Sequence, residues 1–88
     1  MLQKEFTICN RQGLHARPAA MFVKLCNNFE SEIWVEKDDE QVNGKSIMGL
    51  MMLAANHGSV VKVTAEGPDA EKALTEIGAL IAKGFMEE

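Results

Sequence analysis

Glu32-Ile33-Trp34-Val35-Glu36, then Lys37-Asp38-Asp39-Glu40, then Gln41-Val42-Asn43: an alternating run, a charged reversal and a short return. Successive side chains on a strand point to opposite faces, so Ile33 and Val35 share one face and Glu32, Trp34 and Glu36 the other. Such a strand has one face for a core and one for water, a pattern typical of antiparallel sheets. Residues 32–36 are therefore read as one strand, residues 37–40 as a polar reversal and residues 41–43 as a short partner. Trp34 falls on the open face as a partly covered aromatic.

Working outward, residues 60–66 repeat the pattern, with Val61, Val63 and Ala65 alternating against Lys62, Thr64 and Glu66. Residues 2–8 do so more loosely. Leu2, Phe6 and Ile8 share a parity that Lys4 interrupts, which an edge or a strand start tolerates. Between the strands the period lengthens. Ala19, Phe22, Val23 and Cys26 make one apolar stripe over a helix at 16–27, with Pro18 in its first turn. Asn10-Arg11-Gln12-Gly13 before it is a loop. Ser46 is a favoured N-cap for a helix over 47–55, stopped by Asn56-His57-Gly58. Gly67-Pro68-Asp69 opens a last helix whose stripe is Ala70, Ala73, Leu74, Ile77, Leu80 and Ile81, and Gly84 ends it. The order is β-α-β-β-α-β-α. It predicts an α+β fold, a four-stranded antiparallel sheet with helices covering one face.

The bulk properties bound the function. Eighty-eight residues, 47% hydrophobic and 25% charged, predict a single domain spanning residues 1–88. A chain this short favours a surface site over a deep catalytic cavity. Nine basic against 13 acidic residues, a formal charge of −4, argue against a nucleic-acid binder held by phosphate contacts. Cys9 and Cys26 are far apart, suggest no disulfide framework and read as small, mostly buried residues. No spacing of His15, His57 and the cysteines predicts a metal site. Asp38-Asp39-Glu40 matches no calcium loop. No apolar run reaches the roughly 20 residues of a membrane span, and no signal peptide is visible, so the expected location is the cytoplasm.

One segment carries chemistry: Gly13-Leu14-His15-Ala16-Arg17-Pro18-Ala19-Ala20. His15 falls at the start of the first helix. First-turn N–H groups lack intrahelical partners, and the helix end carries about half a positive charge. That combination favours anions. Arg17 adds a planar guanidinium that matches phosphate oxygens, and the Ala16 and Arg17 amides remain as donors. A neutral imidazole is a nucleophile available near pH 7. Attack on a phosphoryl group would give a transferable N–P bond. An exposed helix end with one arginine holds such a group without trapping it.

These residues resemble the active-site signature of HPr, the histidine-containing phosphocarrier of the bacterial phosphoenolpyruvate-dependent sugar phosphotransferase system (PTS). The likeness runs from about residue 2 to 85. It implies an open-faced β-sandwich, four antiparallel strands under three helices. It implies that His15 takes a phosphoryl group from enzyme I on Nδ1 and passes it to IIA domains of sugar permeases, with Arg17 and the Ala16 and Arg17 amides holding the phosphate. No metal or diffusible cofactor is implied. The chain would be a carrier modified in every cycle rather than an enzyme, and a monomer.

A second segment, Gly44-Lys45-Ser46-Ile47-Met48-Gly49-Leu50-Met51, is similar to the regulatory serine segment of HPr proteins from lineages with HPr kinase/phosphorylase. It implies Ser46 as a phosphorylation site used in carbon catabolite regulation. A phosphate at a helix start is electrostatically tolerated. In the following helix Ile47, Leu50 and Leu53 share a side suited to the core, which Met48, Met51 and Met52 cannot all join. The resemblance makes Ile47, Met48 and Met51 an exposed docking patch for partners; Met52 is read as core filler. His57 is placed at a helix end, where a cation suits the dipole. Arg11, Lys24 and Lys45 are read as basic surroundings of the site. The alternatives are a regulatory module that binds a transcription regulator through phosphorylated Ser46, a nitrogen-type carrier without sugar transport, and an inert interaction domain.

Overall fold

The computed structural model describes residues 1–86. Strand β1 (Leu2–Thr7) leads to α1 (Ala16–Cys26), then β2 (Glu32–Lys37), β3 (Glu40–Asn43), α2 (Ile47–Met52), β4 (Val60–Glu66) and α3 (Ala70–Ala82), with a closing 3₁₀ turn at Gly84–Met86. The sheet order is β1-β4-β2-β3 with every neighbouring pair antiparallel. The predicted α+β sandwich is the observed one.

The opening hairpin is tighter than its sequence suggests. Lys37 pairs with Glu40, leaving Asp38 and Asp39 as a two-residue loop with φ of 51° and 69°. Two left-handed residues in succession match the twist of the flanking strands, and Asp tolerates that conformation better than branched residues do. Ile33 and Val35 register against Ala65 and Val63, and all four are buried. The stripes of α1 and α3 close over this face, with Phe22 and Ile77 almost wholly buried. Each such side chain contributes about 1.5–3 kcal/mol by leaving water. On the other face Trp34 is half-buried and sits in register with Thr64 and Asn43. β1 is an edge, which explains its tolerance of Lys4, whose Nζ lies 5.8 Å above the Phe6 ring. The Phe6 ring in turn packs on Gly78 of α3, where a Cβ would come within 2.8 Å of it.

Four expectations need correction. Helix α2 stops at Met52 rather than continuing to residue 55. Leu53 and Ala55 are both buried, yet two residues apart on a helix they would point about 200° apart. The chain therefore leaves the helix through Ala54 at φ 53°. His57 consequently lies in the loop between α2 and β4, not at a helix end. Cys9 is exposed, with its Sγ donating to the Ile81 carbonyl at 3.1 Å, whereas Cys26 is fully buried. Burial pushes the Cys26 thiol up to about 12, against a smaller opposing pull from Lys45. Finally, Met52 is not core filler but exposed.

Beyond those corrections, Phe85 fills the core past Gly84, where no periodic pattern marks it.

Candidate functional site

His15 is the N-cap of α1, with extended backbone (φ −83°, ψ −170°) and a half-buried side chain that makes no capping bond. Its carbonyl accepts the first helical bond, from Ala19 N–H at 3.0 Å. Ala16 and Arg17 follow, both exposed, and Pro18 is buried beneath them. The first turn contains no acidic residue. His15, Ala16 and Arg17 thus follow one another at the helix start, without a carboxylate in that turn to repel an anion.

The chain before His15 is fixed by backbone bonds to the loop after α2. Leu14 N–H donates to the Ala55 carbonyl at 2.8 Å, and the side chain of Leu14 is buried. Gly13, at φ 71°, passes so close that a Cβ would sit 2.3 Å from the Ala55 oxygen. Only glycine fits there, on both counts. Asn10 is buried and donates from Nδ2 to the Gly13 carbonyl at 2.7 Å; His57 places Nδ1 3.2 Å from the Asn10 carbonyl. Sequence reading misses Asn10 and His57, because a side-chain bond to a main-chain carbonyl, whether 3 residues away as for Asn10 or 47 as for His57, leaves no periodic signal.

Ser46 caps α2. Its Oγ accepts Gly49 N–H at 3.0 Å and its carbonyl accepts Leu50 N–H at 3.1 Å. Since α2 spans only six residues, about 9 Å, Ser46 stands at one end of it while the chain leaving the other end holds the His15 turn. The helices α1 and α2 also pack on each other. Of the α2 side chains only Leu50 is buried. Ile47, Met48, Met51 and Met52 are 41, 73, 44 and 74% exposed, so the apolar surface takes in Met52 as well as the predicted three.

The three predicted basic residues make different contacts. Lys45 Nζ donates to the Phe29 carbonyl at 3.0 Å. Arg11 lines a cleft of about 600 Å³ with Cys9, His57 and Lys83, and Lys24 lines a separate groove between α1 and α3. Neither of these two hollows includes His15. Among the described residues no group of three or more histidine, cysteine or acidic side chains is placed to hold a metal ion. No helix of the described residues is long and apolar enough to cross a membrane.

Asp69, at the start of α3, turns its carboxylate away from its own helix. It accepts Glu30 N–H at 2.9 Å, Ser31 N–H at 3.0 Å and the Ser31 hydroxyl. The Ser31 hydroxyl, then the Glu30 amide, hold its carboxyl below the usual range.

The family model described as the PTS HPr component phosphorylation site matches residues 2–83. The phosphocarrier protein HPr of Cupriavidus necator is 47% identical over 87 residues, 99% of this chain and 98% of that protein. The HPr-like protein Crh of Halalkalibacterium halodurans is 47% identical over 83 residues, 94% of this chain and 99% of that protein. The crystal structure of HPr-C-His from Thermoanaerobacter tengcongensis superimposes with a TM-score of 0.96 at 51% identity, covering 100% of this chain and 99% of that one.

Proposed function

This chain belongs to the HPr family of phosphocarrier proteins of the PTS, and from that premise we propose that His15 is its phosphoryl acceptor. The single observation that supports this is the placing of His15 as the N-cap of α1, whose first turn holds Ala16 and Arg17 and no acidic residue. In the proposed cycle a ring nitrogen of neutral His15 attacks phosphorus on phosphorylated enzyme I. The N–P bond to His15 forms as the bond to the donor breaks. The Arg17 guanidinium and the two amides take up the charge on the phosphoryl oxygens. A histidine of an IIA domain then attacks in turn, and His15 leaves neutral. The chain acts as one domain over residues 1–88, in the cytoplasm, as a monomeric carrier that needs no metal or cofactor of its own.

The test is labelling with radioactive phosphoenolpyruvate and enzyme I. The expected product is acid-labile and alkali-stable, as a phosphohistidine is, and absent in His15→Ala. Label that persists in that variant overturns the assignment.

A second reading has its own observation, the methionine-rich surface that follows Ser46. In it, ATP-dependent phosphorylation of Ser46 by HPr kinase/phosphorylase switches docking of partners, a transcription regulator among them, at Ile47, Met48 and Met51. Both roles fit in one chain, since the two residues are separate. Alkali-labile label from ATP and HPr kinase, lost in Ser46→Ala, is the outcome that upholds it.

A further inference from the structure

Two residues outside both signatures reach the backbone that carries His15. We propose that Asn10 and His57 are positioning residues for the His15 imidazole. The proposal rests on His15 being the phosphoryl acceptor and adds how its turn is held.

Residues 10–15 form no regular element, so their conformation depends on individual bonds. Asn10 Nδ2 donates to the Gly13 carbonyl at 2.7 Å, and that same carbonyl accepts His15 N–H at 3.0 Å. The Asn10 amide therefore fixes the group that fixes the His15 main chain. The Asn10 carbonyl accepts Gly13 N–H at 3.3 Å and faces His57 Nδ1 at 3.2 Å. A carbonyl only accepts, so in this bond the proton sits on Nδ1 and His57 donates. Asn10 is 4% exposed, so water competes poorly for its amide. The path from His57 to His15 is then three hydrogen bonds long, His57 to Asn10, Asn10 to Gly13 and Gly13 to His15. A reacting atom displaced by a fraction of an ångström loses rate rather than affinity. These contacts touch neither the phosphate site nor the α2 surface, so their loss belongs in kcat.

The experiment measures enzyme I-dependent phosphorylation of His57→Ala, His57→Asn and Asn10→Ala against chain concentration. Amide shifts of residues 13–17 are recorded by NMR on the same samples. In the His57→Asn variant the new side-chain amide nitrogen stands as many bonds from Cα as Nδ1 does in the imidazole. The expected result is a kcat lowered about fivefold in His57→Ala, the cost of one hydrogen bond, with KM unchanged and His57→Asn near wild type. The shifts at 13–17 should move in His57→Ala and return in His57→Asn. If the alanine variant does not fold, His57→Gln, whose amide stands one bond further out, should be slow in the same way. Wild-type kcat in His57→Ala or in His57→Gln overturns the proposal. So does a loss confined to KM, or a His57→Asn variant as slow as the alanine one. If the wild-type chain takes no label on His15, the acceptor reading fails, and the NMR shifts still decide whether Asn10 and His57 set the turn.

Discussion

Helices α1 and α2 begin in similar surroundings and use their first residue in opposite ways. Both start from an extended N-cap, and neither has an acid in its first turn. At α2 the cap side chain serves the helix, Ser46 Oγ taking Gly49 N–H. At α1 the cap side chain does not; the His15 ring makes no capping bond, and the helix start is held by Leu14, Gly13 and Asn10 behind it. The difference shows two ways of holding a helix start, by its own cap side chain or by residues behind it. A serine that caps is part of the helix's stability, whereas the His15 side chain takes no part in capping its helix.

This contrast can be broken by substitution. The largest effect is expected at His15: His15→Ala should abolish transfer from phosphoenolpyruvate while Ser46→Ala leaves it intact, read by labelling with both variants side by side. Arg17→Ala should follow, slowing transfer about tenfold to a hundredfold by removing a charged donor from the phosphoryl oxygens, as rapid-quench measurements would show. A smaller change is expected from capping. Ser46→Ala should destabilise the fold by about 1 kcal/mol in urea melts, the usual cost of losing an N-cap, whereas His15→Ala should cost less because that side chain caps nothing. Equal losses at the two positions would erase the distinction.

The smallest effect concerns the third helix start. Asp69 has its carboxyl held below the usual range by Ser31 and Glu30. Because the folded-state pKa is depressed, the stability it adds is present above the ordinary value of about 3.9 and is lost as pH falls through the folded value. The melting temperature of the wild-type chain should therefore fall in acid below about pH 4, and Asp69→Asn should flatten that limb.

Much of this is legible in one dimension. Alternation in 32–36 and 60–66 reports burial of one face directly, since a strand repeats every two residues, and the stripe of α1 does the same at the helical period. The octet around His15 is contiguous, so its residues lie together however the chain folds. Short elements read less well. A nine-residue apolar run from Ile47 to Ala55 has no polar face to phase it, so neither the end of α2 at Met52 nor the exposure of Met52 is marked. Phe85 follows a glycine with only Met86 as an apolar neighbour, and two residues have no period. Cys9 is as small and apolar as Cys26, yet one is exposed and the other buried, and residue type does not tell them apart.

Local order and contiguous chemistry, then, belong to the sequence: the seven elements, the one-sided sheet, His15 with Arg17 at a helix start, Ser46 as a cap. Burial periodicity and capping act over a few residues and are written in them. The tertiary structure alone decided what ties the His15 turn to the rest of the molecule. Ala55 and His57 lie more than 40 residues from Gly13 and Asn10, and a hydrogen bond to a main-chain carbonyl is blind to side-chain type at the accepting end, so no residue pattern encodes it.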